Sequence, residues 1–301
     1  MSWVQSPPPV PKMYKGRDGI SCVIMSCKEL AAKEKSAIKQ CVALLNKAPR
    51  LAVIVVGDNM ASQSYVRGKR RDCEECGIEC EILHFNEAIE TSDICDIIQR
   101  LNFRDDVDGI LVQLPLPEHI DKSAVIEQID PCKDVDGFCS ENMGKLFINS
   151  PMFVPCTPLG IMDMLNHFNI DIDGKRCAVI GRSDIVGKPI SLLLTNAGGT
   201  VTLCHSHTND LANITRQADI IVCAVGRSGF LTEDMVKDGA VVVDVGINRD
   251  EDGGLCGDVD FDSVSQKCSA ITPVPGGVGL MTRVSLLKNT LSVYLLNKNG
   301  R

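Results

Sequence analysis

The sequence predicts an α/β protein built from two α/β units with a cleft between them. Two observations carry this. Short aliphatic runs alternate with helical patterns through both halves of the 301 residues, the grammar of parallel sheets joined by crossover helices. One of these runs, Cys177–Ile180, leads through a glycine-rich turn, Gly181-Arg-Ser-Asp-Ile-Val-Gly-Lys-Pro189, into a helical pattern at Ile190–Asn196. Strand, glycine turn and helix start together place backbone N–H groups and a positive helix end where a phosphate can sit.

Residues 1–20 carry Pro7, Pro8, Pro9 and Pro11 and are expected to form a flexible tail. The first unit is placed at 21–156. A helical pattern from Cys27 to Asn46 ends before Pro49, and Leu51–Val56 reads as a buried strand closed by Gly57-Asp58-Asn59. Ala61–Cys76 reads as a helix with Gly77 near its C-terminus. Strands follow at Glu79–His84 and Val107–Val112, with helices at Ser92–Leu101 and Ser123–Ile129. The second unit is placed at 157–280. It opens with a bridging helix, Thr157–Phe168, and continues with strands at Cys177–Ile180, Thr200–Leu203, Ile220–Val225, Val241–Val245 and Ala270–Ile271. A last helix within 281–301, patterned from Val284 to Leu296, is expected to pack back on the first unit.

Hydrophobic content of 44% with 23% charged residues is that of a soluble globular protein, and the scarcity of aromatics predicts an aliphatic core. A net charge of -8 argues against a general nucleic-acid or anionic-membrane binder, while leaving room for a local basic pocket. No apolar run approaches the roughly 20 residues of a membrane span. The fifteen cysteines are scattered and odd in number, which predicts reduced thiols in a cytoplasmic setting.

The turn Gly181–Pro189 departs from G-x-G-x-x-G by placing five residues between its glycines. It nonetheless predicts a Rossmann-type parallel sheet, with Pro189 suited to a first helical position, where its missing N–H is harmless. An NAD site usually sets a carboxylate at the end of the second strand to hold the ribose 2′-hydroxyl. That strand here ends Leu203-Cys-His-Ser-His-Thr208, without a carboxylate. Ser206 can donate to a 2′-phosphate and Arg182 can supply a cation, so NADP is favoured over NAD. Asp184 runs against this unless it points away or pairs with Lys188.

The first unit holds a second constellation. Tyr65 and Lys69 are four residues apart and share one face of a helix. Gln113 closes the strand of Gly109-Ile-Leu-Val-Gln-Leu-Pro-Leu-Pro117, where ligands of open parallel sheets sit, and Asp136 follows in Asp134-Val-Asp-Gly137. Phenol, amine, amide and carboxylate thus have a route to one cleft. Each also has an ordinary reading. Lys69-Arg70-Arg71 could be a solvated face, Tyr65 a half-buried core aromatic, and Asp136 a turn cap.

Taken together, these segments closely resemble the bifunctional methylenetetrahydrofolate dehydrogenase/cyclohydrolase family. The resemblance runs through Ala61-Ser-Gln-Ser-Tyr-Val-Arg-Gly-Lys69, Asp108–Pro117, Lys133–Gly137, Pro155-Cys-Thr-Pro158, the Gly181 turn, Val243-Asp-Val-Gly-Ile-Asn248 and Thr272-Pro-Val-Pro-Gly-Gly-Val-Gly279. It covers the chain from about residue 24 onward. It implies oxidation of 5,10-methylenetetrahydrofolate by NADP+, hydrolysis of the methenyl product to 10-formyltetrahydrofolate, and a homodimer. It further implies that Lys69 drives the hydrolysis, Gln113 tunes and positions it, Tyr65 stacks on the folate and Asp136 holds the pterin. Pro275, Gly276 and Gly277 are expected to line the substrate. Gly181, Arg182, Ser183, Ile185, Val186, Gly187, His205 and Ser206 are expected at the cofactor, together with Ala224, Val225, Gly226, Ile247 and Thr282. Leu280 stands where the family usually has proline, and Ile24-Met-Ser-Cys27 replaces its isoleucine-aspartate-glycine segment.

Three rivals are weighed against this reading. Cys73-x-x-Cys76 with Cys80 lacks an answering second pair, so no metal is expected. A monofunctional dehydrogenase would typically lack the lysine found at 69. A non-catalytic NADP-binding module would have no need of Tyr65, Lys69, Gln113 and Asp136 together.

Overall fold

The computed structural model describes residues 12–15, 21–250 and 252–299. The chain enters as a short antiparallel pair, β1 (Met13–Lys15) and β2 (Ser21–Ile24), followed by helix α1 (Lys28–Ala43). The smaller sheet comes next, with β3 (Arg50–Val56), α2 (Met60–Cys76), β4 (Glu79–Phe85), α3 (Thr91–Asn102) and β5 (Gly109–Val112). Its strands are parallel in the order β4-β3-β5. Helices α4 (Lys122–Glu127), α5 (Ser140–Phe147) and α6 (Cys156–His167) lead to the second unit.

That unit runs β6 (Arg176–Ile180), α7 (Gly187–Asn196), β7 (Thr200–Cys204), α8 (Leu211–Thr215), β8 (Ile220–Cys223) and β9 (Val241–Asp244). A small hairpin of β10 (Asn248–Arg249) and β11 (Leu255–Cys256) follows, then α9 (Phe261–Val264), β12 (Ala270–Ile271) and the long α10 (Val278–Asn299). The larger sheet has the order β1-β2-β12-β9-β8-β6-β7, parallel except for β1. The chain order reverses between β6 and β8, the crevice in which open α/β sheets bind ligands.

Strand periodicity sorts the core. Leu51, Val53 and Val55 of β3 face a cluster shared with Val179, Val222 and Val243 of the larger sheet, so one core joins the two units. Ala52, Ile54 and Val56 point the other way, onto α3 residues Ile94 and Ile98. Helix α10 packs most extensively on α6, the bridging helix that the sequence assigns to the second unit, and also on α1 and α2 of the first. Gly160 permits the α6 contact, since a Cβ there would lie 2.8 Å from the Met281 backbone carbon.

Several expectations are corrected. Ser21–Ile24, assigned by sequence to the first unit, is hydrogen-bonded beside β12 in the second unit's sheet. Within the expected tail, Met13–Lys15 form a strand against Ser21–Val23, because β2 would otherwise be an open edge; residues 1–11 and 16–20 lie outside the described residues. Helix α1 stops at Ala43, before the expected Asn46. Helix α7 starts at Gly187, so Pro189 is its third residue and not its first, still within the turn that needs no N–H partner.

Candidate active site

Pairing of the smaller sheet brings the first constellation together. A parallel bridge between Ile110 and Asp134 lays residues 133–135 alongside β5, so Gln113 and Asp136 emerge at the same strand end. The approach is close: a Cβ on Gly109 would sit 2.5 Å from Val135 Cγ1. Asp134, 1% exposed, fixes the turn that follows by accepting from the N–H groups of Gly137 and Cys139 and from Asn142 Nδ2, at 2.9, 2.9 and 3.0 Å. Lys133 donates to the carbonyls of Leu101, Asn102 and Arg104 at 3.1, 2.8 and 2.8 Å, capping the C-terminal end of α3.

Helix α2 supplies the other half. It ends in a Schellman turn, with Ile78 N–H donating to Cys73 O at 2.9 Å and Gly77 at φ 77°. On its inward face Lys69 is 6% exposed. Its Nζ lies 5.0 Å from the Tyr65 ring centroid and donates to Gln113 Oε1 at 3.1 Å. Gln113 Nε2 in turn donates to Leu114 O at 2.7 Å, which fixes which end of the amide meets the lysine. Burial pulls the Lys69 ammonium below its ordinary value, opposed first by the nearby Asp136 carboxylate. Burial also pushes the Asp136 carboxyl up, opposed by Lys69. The Tyr65 phenol is pushed up mainly by burial, opposed by the nearby Arg283 guanidinium. Of the basic run only Lys69 turns inward; Arg70 pairs with Glu74 on the surface.

A cavity of about 490 Å³ opens on Tyr65. Its walls are residues 244–249, including Ile247, and 273–280, including Pro275, Gly276, Gly277 and Leu280, with Arg283 beside Tyr65. Lys69, Gln113 and Asp136 lie behind Tyr65, outside its lining.

The second constellation gathers at the ends of β6, β7 and β8. The register Ile180↔Cys204 brings the Gly181 turn beside the loop that begins at His205, and Gly181 N–H donates to Cys204 O at 2.9 Å. Gly181, at φ 113°, allows the β8 end to close in, since a Cβ would fall 2.1 Å from Ala224 O. Gly187 must also be bare, because its Cβ would lie 1.9 Å from Gly181 O. The Ser183 hydroxyl accepts from the N–H groups of Val186 and Gly187 at 3.2 and 3.4 Å, so it shapes the turn that carries Ile185. Asp184 pairs with Lys188, which removes the charge conflict at Arg182. Arg182 and Ser206 are exposed. Thr282, expected at the cofactor, lies apart from this turn, with its hydroxyl 3.0 Å from that of Thr157. In the Cys73–Cys76–Cys80 group, Cys73 and Cys76 are buried and Cys76 donates to Lys35 O at 3.6 Å.

Sequence reasoning missed the residues that hold these parts. Asp72, 3% exposed, accepts from Lys35 at 3.3 Å and pairs with Arg283 Nε at 2.8 Å, joining α1, α2 and α10. Its place three residues after Lys69, on the same face of α2, was the available signal. Asn289 of α10 donates to Val135 O and Val154 O at 2.8 and 3.0 Å, tying together the segments that lead into Asp136 and Cys156. Asp244 and Asp258 lie buried under the loops after β8 and β9.

As a class, this is a two-unit nucleotide-binding α/β protein with a buried amine site beside its cavity. Residues 25–136 match the catalytic domain of the tetrahydrofolate dehydrogenase/cyclohydrolase family, and residues 155–298 match its NAD(P)-binding domain. The chain belongs to that family. It is 51% identical over 274 residues to the bifunctional protein FolD of Exiguobacterium sp., covering 90% of this chain and 98% of the relative. Among solved structures it is similar to the bifunctional FolD enzyme of Campylobacter jejuni, with a TM-score of 0.89, 50% identity, and coverage of 91% of this chain and 99% of that one. It is also similar to the Trypanosoma brucei dehydrogenase-cyclohydrolase complexed with NADP cofactor and inhibitor, with a TM-score of 0.88, 38% identity, and coverage of 92% and 98%.

Proposed function

We propose that the protein oxidises 5,10-methylenetetrahydrofolate with NADP+ and then hydrolyses the 5,10-methenyl product to 10-formyltetrahydrofolate. The observation that carries the second activity is the buried Lys69 amine, 3.1 Å from Gln113 Oε1 and 5.0 Å from the Tyr65 ring. The methenyl group is cationic, and a cation beside Lys69 favours its neutral amine further. Water adds to the bridging carbon and loses a proton to that amine; the ammonium returns a proton to the departing ring nitrogen. Gln113 keeps the amine pointed at this position. Tyr65 stacks on the aromatic portion of the folate, and Asp136 accepts from pterin N–H groups.

The bare Gly181–Gly187 turn at the sheet's switch point fits a dinucleotide phosphate, and the β6–β7 register supports Arg182 and Ser206 as the residues that meet a 2′-phosphate. NADP, when bound, accepts the hydride from the methylene carbon. The chain's contribution to that step is alignment across the cleft, with little acid–base work. The folate unit comprises about residues 25–156 with α10, and the NADP unit 157–280 with β2. Two copies form a homodimer through the edge strand β7, whose Val201 and Leu203 are half-buried within a single chain; sedimentation at twice the 32.6 kDa chain mass tests this. The fifteen free thiols support a reducing, cytoplasmic setting. No described helix is long and apolar enough to cross a membrane. The net charge of -8 speaks against a nucleic-acid partner.

Separate assays of NADP+ reduction and methenyl-ring opening test the function. Lys69→Met is expected to lower ring opening by about 10²–10⁴-fold, the usual worth of a general acid–base group, with NADP still bound. Full ring opening in that variant would refute the role of Lys69. Arg182→Ala is expected to weaken NADP about tenfold or more and NAD far less, as loss of a charge-assisted phosphate contact predicts. Equal weakening of the two would overturn the cofactor assignment.

A further inference from the structure

Asp258 lies after the β10–β11 hairpin and is wholly buried. Its carboxylate collects four donors. Oδ2 accepts from the N–H groups of Val225 and Gly226 at 2.7 and 2.9 Å, while Oδ1 accepts from Arg227 N–H and Asn248 Nδ2 at 2.9 and 2.8 Å. Three successive N–H groups converging on one point make an anion-binding nest. Here the nest is filled by the chain's own carboxylate. Its N–H groups are thereby committed to holding the loop after β8, the loop beside the Gly181 turn. The fourth donor, Asn248, belongs to the wall of the ligand cavity. The approach from that wall is tight: a Cβ on Gly246 would lie 2.2 Å from Asp258 Oδ1. Asp244 anchors the assembly from below, accepting from Asp258 N–H at 2.9 Å, Gly246 N–H at 3.0 Å and Val259 N–H at 3.0 Å.

We propose that Asp258 is a positioning residue that ties the cofactor loop 224–227 to the cavity wall 246–248, so that one buried carboxylate sets the geometry of both binding sites. It is not in the cavity lining and acts only through the groups it holds. A carboxylate is required because it offers acceptor sites for all four donors. An asparagine would turn its own N–H₂ toward two of them. The proposal rests on the reading of residues 224–226 as part of the NADP site.

The test measures NADP dissociation by direct titration and steady-state kinetics for both reactions on the full chain. Asp258→Asn is expected to raise the NADP Kd about tenfold or more and the KM for 5,10-methylenetetrahydrofolate by about fivefold, the scale of lost hydrogen bonds to a charged group. The kcat for ring opening is expected to stay within about twofold, because Lys69 and Gln113 share no partner with Asp258. Val264→Ala, a buried apolar change in the neighbouring core, is the control for lost stability; its NADP Kd is expected to stay within about twofold of the parent. Asp258→Glu keeps the charge but displaces it by one methylene, and is expected to weaken NADP by about fivefold; it carries the same test if the asparagine variant does not fold. An unchanged Kd in the Asp258 variants, or an equal rise in Val264→Ala, would overturn the proposal. If Arg182→Ala also left NADP binding intact, it is the cofactor site reading that would fail.

Discussion

Lys69 sits among three neighbours, one from its own helix and two from elsewhere in the first unit. Tyr65 comes from the same helix, Gln113 from the end of β5, and Asp136 from the segment bridged to that strand. Only the first relation is local, and the i, i+4 spacing made it legible in the sequence. Convergence of the other two depends on the Ile110–Asp134 bridge, which no local pattern encodes. Burial is the largest influence on the amine and Asp136 opposes it, so the neutral form is within reach below the ordinary lysine range. Ring opening, corrected for the uncatalysed rate, is therefore expected to rise with pH along a limb centred below 10.5, the ordinary value of the group. Gln113→Glu places an anion against the ammonium and should shift that limb upward by about one unit or more, with lower activity at neutral pH. Gln113→Leu removes the acceptor without adding charge and should lower activity with no upward shift. An upward shift in both variants would mean that Gln113 does not act through its contact with Lys69.

At the scale of elements, helix α2, which carries Tyr65 and Lys69, is placed by its contacts with α10. Arg283 of α10 occupies the space that a side chain at residue 68 would need, since a Gly68 Cβ would lie 2.5 Å from Arg283 Nη1. The same guanidinium pairs with buried Asp72, one turn beyond Lys69. Gly68, Asp72 and Arg283 thus act as one clamp between the two helices. Gly68→Ala is expected to cost about 1–3 kcal/mol in urea unfolding, because the methyl pushes the Arg283 guanidinium away from buried Asp72 and that loss outweighs the gain in helix propensity. In the Arg283→Met background the added methyl has a more yielding neighbour, so the cost should shrink; additive losses would show that the two sites do not touch energetically. Elements of this kind were legible individually. The three strands of the smaller sheet, the strands β6, β7, β8, β9 and β12 of the larger one, and the helices α1, α2, α3, α6 and α10 follow from aliphatic periodicity and from stops such as Gly77; β1 and β2 do not. The partnership of β2 with β12 was not, because about 250 residues separate them and a four-residue strand carries no address for its sheet. Asp72 was missed for a related reason: its spacing from Lys69 marks the inward face, but a carboxylate within a charged run looks solvated until the facing helix is in place.

For the molecule as a whole, the same tension between burial and charge makes stability depend on pH. Asp244 is 3% exposed at the base of the second unit, under both the loop after β8 and the cavity wall. Burial pushes its carboxyl up to about 6 from an ordinary 3.8, against the pull of N–H donors from Asp258, Val259 and Gly246, and the Asp258 carboxylate adds to the upward push. A carboxyl that binds its proton more tightly when folded stabilises the fold below its unfolded value and loses that contribution as pH rises through its folded value. Between pH of about 4 and 6.5 this one group should therefore withdraw about 3 kcal/mol of stability as the pH increases. The direction is opposite to that of a salt-bridged surface carboxylate such as Asp106, which Arg104 and Arg50 hold down and which stabilises the fold as pH rises. Comparison with Asp244→Asn isolates the effect, because asparagine does not titrate and the remaining carboxylates are common to both proteins. The stability of the parent relative to the variant, from urea midpoints and slopes, should fall across this interval and level off above it. A flat difference would mean that Asp244 ionises at its ordinary value, and that its three N–H donors compensate its burial in full.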